Sequence, residues 1–166
     1  MTTMTATTTQ VYRIFIKATP EAIWEAITTP EWTQRYGYGG LPEYDLRPGA
    51  TYQVRPSEPM ASVPGVPEVI IDGEILEADP PRRLSMTWRM LMDPDMAAEG
   101  PTRLTYEIEE IEGSATKLTV IHELENAPRL AAIVAGQGEA EGAGGGWAWI
   151  LSDLKSLLET GSRLSG

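Results

Sequence analysis

The chain has 166 residues, 42% of them hydrophobic, which is enough for one globular domain with a proper core. Its formal net charge of -11 argues against a nucleic-acid surface and against adhesion to anionic membranes, because both rest on clustered lysine and arginine. The absence of cysteine excludes disulfides, thiolate metal sites and cysteine nucleophiles. No apolar run has the length of a membrane span, so we expect no membrane insertion.

The chain begins with a threonine-rich segment that lacks the basic and apolar regions of a signal peptide. We interpret residues 1–9 as a disordered tail on a cytoplasmic protein, and residues 10–162 as a single domain. Three long loops are expected at residues 56–68, 91–101 and 125–146. Prolines exclude regular structure from the first of them, and glycines make the end of the third mobile.

The first elements are a strand and two short helices. Val11–Ala18 alternates as a strand does. Thr19 suits the N-cap of the following helix and Pro20 its first position, and a second short helix is predicted over Pro30–Arg35. The next segment, residues 36–40, spaces two tyrosines with glycines, which is typical of a mobile rim over a cavity; an ordinary loop is the alternative.

The middle of the chain predicts an antiparallel meander. The expected strands are Gly49–Arg55, Val69–Ala78, Leu84–Met90, Thr102–Glu112 and Thr116–Leu124. Successive side chains point to opposite faces, so one face is apolar and carries large aromatics, while the other is charged and wet. This pattern indicates a sheet that is covered on one side only. A short helix is expected over Pro128–Ala135.

The last stretch predicts one long amphipathic helix, Gly146–Thr160, ending at Gly161 in a left-handed cap. Its apolar stripe consists of Trp147, Ile150, Leu151, Leu154, Leu157 and Leu158. The opposite face carries Ser152, Asp153, Lys155, Ser156 and Glu159. Such a stripe must be buried against something large, and the sheet is the one candidate.

Residues 73–88, which read G-E-I-L-E-A-D-P-P-R-R-L-S-M-T-W, closely resemble the signature of the homologues of the activator of the heat-shock protein 90 ATPase, in the START-like (SRPBCC) superfamily. Residues 18–24, 30–32 and 146–159 resemble other parts of that family in matching order. The resemblance implies an α+β helix-grip fold, with six to seven strands curved around the C-terminal helix and two short helices after strand 1. Arg35-Tyr36-Gly37 departs from the Trp-Phe-Gly common in the family.

The resemblance implies an apolar cavity between the sheet and the last helix. Aromatic and methionine side chains suit a planar or greasy ligand there, because they offer large adaptable surfaces with few polar tips. The candidate lining residues are Trp32, Tyr36, Tyr38, Tyr52, Met86, Trp88, Met90, Tyr106, His122, Trp147 and Ile150. Close packing as core is the alternative for Met86, Trp88 and Trp147. Tyr36 and Tyr38, each of which is followed by a glycine, are expected outside the core.

His122 is the single histidine of the chain, and the strand alternation turns it inward. A neutral imidazole there is a candidate acid or base, with Tyr106 as a second catalytic candidate. A core histidine with satisfied hydrogen bonds is the alternative, because one ionisable group is not a catalytic constellation. No metal site or cofactor is predicted, since a lone histidine lacks further ligands at metal-binding spacing.

Three functions follow from these patterns. The leading one is binding of a small hydrophobic molecule in the cavity. The second is a polyketide-cyclase-like enzyme in which His122 moves a proton. The third, implied by the family resemblance, is a chaperone co-factor that acts through its surface in a stress response. A homodimer through a sheet edge or through helices stays open.

Overall fold

The computed structural model of the protein describes residues 9–141 and 144–164. One seven-stranded antiparallel sheet has the strand order β1-β7-β6-β5-β4-β3-β2. The strands span Thr9–Ile16 (β1), Leu41–Glu43 (β2), Thr51–Arg55 (β3), Ile71–Asp79 (β4), Arg83–Met90 (β5), Thr102–Glu110 (β6) and Thr116–Glu123 (β7). Residues 1–8 of the predicted tail lie outside the described residues, and Thr9 already belongs to β1.

The helices connect and cover this sheet. They span Pro20–Thr28 (α1), Pro30–Thr33 (α2), Glu58–Ala61 (α3), Pro94–Ala98 (α4), Pro128–Val134 (α5) and Gly146–Thr160 (α6). The predicted start of α1 is confirmed: Thr19 Oγ1 accepts the N–H of Ala22 at 3.1 Å, and Pro20 is the first helical residue. Proline fits there because the N–H it lacks would have no partner inside the helix.

The predicted bounds of α6 are confirmed at both ends. Gly161 has a φ of +82°, the left-handed value that glycine adopts without a Cβ clash, and its N–H is bonded to the carbonyl of Leu157 at 2.9 Å. The predicted apolar stripe faces the sheet, but Asp153 does not face solvent as predicted. Its exposed fraction is 0%, because the residue 36–40 loop and the chain after α6 cover that flank of the helix.

The inner face of the sheet forms the core that the alternation predicts. Leu84, Met86, Leu118 and Val120 are each completely buried. These side chains pack against the apolar stripe of α6 and against α1. The predicted α+β architecture is therefore confirmed, with seven strands, two short helices after the first strand and a long C-terminal helix.

The outer face of the sheet is less exposed to solvent than predicted. Ser85 and Thr105 lie at its centre with exposed fractions of 0% and 2%, and their hydroxyls are 3.1 Å apart. They are buried because longer side chains reach over them, among which the Arg103 guanidinium donates to the Ser85 hydroxyl at 3.3 Å. A short hydroxyl side chain cannot reach past such neighbours to water.

Two of the predicted loops contain single helical turns. In the segment 56–68, α3 forms although prolines were predicted to exclude regular structure there. That prediction is wrong because Pro59 occupies the first turn, where a proline removes no helical hydrogen bond. In the segment 91–101, α4 begins after Asp93. The short edge strand β2 was not predicted; it contains Pro42, which an edge strand tolerates.

Within the part of the chain that the structure describes, no helix has the length and hydropathy needed to cross a bilayer.

Candidate ligand-binding site

An apolar cavity of about 480 Å³ lies between the start of α6, the inner face of the sheet and the residue 36–40 loop. Strands β3 to β6 and helices α3 to α6 all contribute to its walls. Most of the residues predicted to line a cavity do contact this one, namely Tyr36, Tyr38, Trp88, Met90, Tyr106, Trp147 and Ile150. The structure brings them together because the inward positions of β5 and β6 face the first turns of α6.

Three other predicted lining residues lie outside the cavity wall. Trp32 is half-buried on α2, and the guanidinium carbon of Arg35 lies 4.5 Å from its ring centre. Tyr52 is buried and donates its hydroxyl to the carbonyl of Thr87 at 2.6 Å. Met86 is completely buried in the core. The structure therefore places these side chains where they support the fold rather than face the cavity.

Tyr36 contacts the cavity but also belongs to the core, so the prediction that it lies outside the core is wrong. Its exposed fraction is 8%, and its hydroxyl donates to the carbonyl of Ala26 at 2.9 Å. Ala26 lies in the last turn of α1, where carbonyls have no partner inside the helix. Tyr36 supplies that partner, and burial raises its pKa, so its hydroxyl stays protonated.

His122, the predicted acid or base, lies behind the cavity in a closed chain of hydrogen bonds. The indole N–H of Trp147 donates to His122 Nδ1 at 3.1 Å. The proton of the neutral ring is therefore on Nε2, which donates to the Thr102 hydroxyl at 2.8 Å. That hydroxyl donates in turn to the carbonyl of Trp88 at 2.7 Å.

The environment of His122 keeps the ring neutral. Its exposed fraction is 0%, and burial lowers its pKa from 6.5 to about 3. Both ring nitrogens are occupied by protein groups, so neither is open to a molecule in the cavity. The geometry thus corresponds to the alternative given above, a core histidine with satisfied hydrogen bonds. It joins the start of α6 to strands β6 and β7.

Tyr106 supplies a polar group of the cavity that makes no hydrogen bond within the described structure. Among the described residues its hydroxyl has no hydrogen-bond partner, and the oxygen is not one of the fully enclosed atoms. Burial raises the pKa of Tyr106, with smaller contributions from Tyr44 and Tyr36, so the phenol is neutral and can donate. A ligand oxygen or nitrogen is the group that this hydroxyl could bind.

Methionines form a wall that sequence reasoning largely missed. Met60 on α3 and Met96 on α4 contact the cavity together with Met90 and Met92. Each short helix presents its methionine three residues after an N-cap: the Ser57 and Asp93 side chains accept the N–H groups of Met60 and Met96 at 3.4 Å. The sequence signal that indicates the two turns is an N-cap residue followed by a proline in the first turn, Ser57 with Pro59 and Asp93 with Pro94.

Tyr38 lies at the exposed edge of the cavity, against the glycines that precede α6. Its exposed fraction is 41%, and its hydroxyl accepts the N–H of Gly146 at 3.2 Å. Gly144 is so close that a Cβ there would lie 2.3 Å from the Tyr38 oxygen. The Tyr38 ring therefore packs directly on the backbone of these glycines and closes one side of the cavity.

The charges around the cavity are few. Asp93 is the one charged residue that lines it in the described part of the chain, and no lysine, arginine or histidine does so there. Nor do the described residues hold a group of three or more histidine, aspartate or glutamate side chains that could bind a metal ion.

A second depression, of about 720 Å³, lies beside β3 and β4, and most of the residues that line it have polar side chains. Its cation is already paired, because Arg89 forms two hydrogen bonds with Asp72, at 3.0 and 2.8 Å. The apolar cavity is therefore the better candidate for a ligand site.

A curved antiparallel sheet that encloses an apolar cavity with one long C-terminal helix defines the helix-grip, START-like class of domains. The family model described as "Activator of Hsp90 ATPase homolog 1-like protein" matches residues 17–159. The chain therefore belongs to this family. The match includes α1, every strand from β2 to β7 and nearly all of α6.

Solved structures show the same fold at low sequence identity. The protein MLL2253 from Mesorhizobium loti is 20% identical, with a TM-score of 0.64 over 90% of this chain and 96% of that one. PFC0360w, an HSP90 activator from Plasmodium falciparum, is 20% identical, with a TM-score of 0.54 over 70% of this chain and 73% of that one.

DynU16, a putative protein in the dynemicin biosynthetic locus, is also 20% identical, with a TM-score of 0.64 over 95% of this chain and 49% of that one. No protein of curated function matches the chain. These likenesses concern the fold, so the function has to be argued from the cavity.

Proposed function

We propose that the protein binds a small hydrophobic or aromatic molecule in the cavity between the sheet and α6. One observation carries this proposal: an apolar cavity of about 480 Å³ contains a tyrosine hydroxyl, that of Tyr106, with no partner among the described residues. A volume of this order is typical of sites for drug-sized ligands. A polar group of a ligand can bind this hydroxyl, which would orient the molecule within the apolar cavity.

The cavity supports binding more than catalysis. The cyclase-like alternative needs a group in the cavity that moves a proton, and both nitrogens of His122 are occupied by Trp147 and Thr102. Tyr106 contacts the cavity, but its raised pKa makes it a poor base near neutral pH. Likeness to an HSP90 activator at 20% identity extends to the fold alone, and no surface feature described above favours a chaperone partner.

The proposal is tested with a panel of fatty acids, sterols, flavonoids and polyketide-like aromatics, screened by thermal shift and followed by calorimetry. A ligand at a hundred times its Kd stabilises the folded state by about 2.7 kcal/mol, which raises Tm measurably. Native mass spectrometry of the purified protein would detect a ligand that is carried through purification.

Two variants show whether a hit occupies the cavity. Ile150→Trp places a large side chain in the lining, whereas Ala148→Trp places the same side chain on the exposed face of the same helix. We expect binding to be lost in the first variant and kept in the second. Tyr106→Phe should weaken a ligand that carries a polar group by about tenfold. The proposal is overturned if no apolar or aromatic compound binds, amines included, or if Ile150→Trp binds as the wild type does.

A further inference from the structure

The ligand class can be narrowed from the charge of the cavity wall. Asp93 lies at the start of α4, three residues after the end of β5, and lines the cavity beside Met92 and Met96. It is the one charged lining residue in the described ranges, and its sign is negative. An anionic ligand would meet this carboxylate without a compensating cation, so the cavity disfavours fatty acids and other carboxylates.

The Asp93 carboxylate is only half used by the fold. Its Oδ1 accepts the N–H groups of Asp95 and Met96, at 2.8 and 3.4 Å, and caps α4. Its Oδ2 has no hydrogen-bond partner among residues 9–141 and 144–164, and no arginine or lysine there forms an ion pair with it.

Neighbouring carboxylates differ from Asp93 in this respect. Asp95, on the same helix, lies 3.8 Å from the guanidinium of Arg129, and Asp72 is paired with Arg89 at 2.8 Å. Asp93 therefore contacts the apolar cavity with a carboxylate that has no protein counter-charge in the described ranges. A cation brought by the ligand would provide that counter-charge.

The rest of the wall suits such a cation. Aromatic rings attract an ammonium group through their electron-rich faces, and the lining contains Trp88, Trp147 and several tyrosines. The methionine sulfurs offer a polarizable surface to the apolar body of the ligand. The net charge of -11 further raises the local concentration of cations over that of anions.

We propose that the cavity binds aromatic or alicyclic amines, with Asp93 as the counter-charge of the ammonium group and the aromatic and methionine wall around the apolar body. This inference rests on the proposed function, because it names the ligand class of the same site. It assigns Asp93 a role in specificity beyond its capping of α4. Uncharged analogues bind the same wall less tightly.

The test uses three probes of similar shape: the amine 2-(2-naphthyl)ethylamine, the alcohol 2-(2-naphthyl)ethanol and the carboxylate of 2-naphthaleneacetic acid. Calorimetry at low salt should give the amine an affinity about five- to tenfold above that of the alcohol, with the carboxylate weakest. At 0.5 M salt the preference for the amine should shrink, because a partly exposed carboxylate is screened.

Asp93→Asn removes the negative charge but keeps the cap of α4, since asparagine caps a helix as well as aspartate does. We expect this variant to keep its Tm and its affinity for the alcohol, and to lose the preference for the amine. Asp95→Asn is the matched control, because it removes a neighbouring charge that does not line the cavity. It should keep the preference.

The outcomes distinguish the two proposals. If the alcohol binds in the cavity but the amine binds no more tightly, or if Asp93→Asn keeps the amine preference, the inference about amines is overturned and the binding function stands. If none of the three probes binds and the wider panel also fails, the binding function itself is overturned, together with the inference.

Discussion

The carboxylate of Asp153, in the middle of α6, accepts the backbone N–H of Gly37 at a distance of 2.8 Å. Its other oxygen accepts the N–H of Leu164 at 2.7 Å, and the guanidinium of Arg163 lies 3.3 Å from the first oxygen. One fully buried carboxylate therefore joins the long helix, the chain that follows it and the loop that lines the cavity. The contact therefore holds Gly37, a residue of the cavity lining, against the side of α6.

We predict that Asp153→Ala lowers the free energy of unfolding by about 3 kcal/mol. The substitution leaves the buried N–H of Gly37 and the partly buried N–H of Leu164 without their acceptor. It also removes the counter-charge of the Arg163 guanidinium, and breaking such a buried pair is costly. Urea unfolding measures the change. Ser152→Ala, on the exposed side of the same turn, should change the stability by less than about 0.5 kcal/mol. Equal losses in the two variants would show that the contact contributes nothing specific.

The burial of Asp153 could not be predicted from the periodicity of the sequence. The residue lies at the edge of the apolar stripe of α6, where the pattern alone leaves a polar side chain on the solvent side. Its burial depends on Gly37 and Leu164, which come from other segments of the chain. The bounds and caps of α6 were predictable because they depend on residues within a few positions of one another.

In the cavity, too, the features that depend on neighbouring residues were predictable, and those that depend on distant residues were not. Strand alternation turned Trp88, Tyr106 and His122 inward correctly, because it depends only on local geometry. That His122 is occupied by Trp147 and Thr102 could not be read from the sequence, since these partners lie 25 and 20 residues away. The methionines of α3 and α4 were missed for a further reason: a single helical turn has almost no periodicity to detect.

We predict that His122 makes the protein less stable as the pH falls below about 6.5. The pKa is about 3 in the folded protein and 6.5 in the unfolded chain, so the unfolded state binds the proton first. The stability that depends on a neutral His122 ring is fully present above pH 6.5, and it is lost progressively as the pH falls towards 3. At pH 5 the expected loss is about 2 kcal/mol.

The measurement compares urea unfolding of the wild type and of His122→Gln from pH 7 to pH 5. Glutamine does not titrate, while the carboxylates common to both proteins contribute equally, so the difference isolates the histidine. We expect His122→Gln to be less stable at pH 7 and to show the shallower pH dependence. Parallel pH profiles for the two proteins would contradict a buried, neutral His122.

Two tyrosines of the cavity wall should respond differently to removal of the hydroxyl. Tyr36→Phe leaves the carbonyl of Ala26 without its donor, and we expect it to cost about 1 kcal/mol. Tyr106→Phe removes a hydroxyl that has no partner in the described structure, so we expect a change within about 0.5 kcal/mol. Urea unfolding of both variants tests this. A comparable loss in Tyr106→Phe would mean that its hydroxyl is already used by the protein.

Gly144 is the position where a single methyl group should open the edge of the cavity. Its φ is +86°, and an added Cβ would lie 2.3 Å from the Tyr38 oxygen and 2.9 Å from its ring. Tyr38 is an exposed side chain, which rotates more readily than a backbone segment moves. We therefore predict that Gly144→Ala displaces Tyr38 and breaks its hydrogen bond from the N–H of Gly146. Hydrogen exchange of the Gly146 amide should become faster, and ligand association and dissociation should both accelerate.

The control is Gly113→Ala in the β6–β7 turn. Gly113 has a similar φ of +76°, but nothing lies within 4 Å of the added Cβ. Both variants therefore carry the cost of a left-handed alanine, about 1 kcal/mol, and only Gly144→Ala also collides with Tyr38. If the Gly146 amide exchanges equally fast in the two variants, backbone strain explains the effect. Faster exchange in Gly144→Ala alone would show that Tyr38 holds the segment before α6 closed over the cavity.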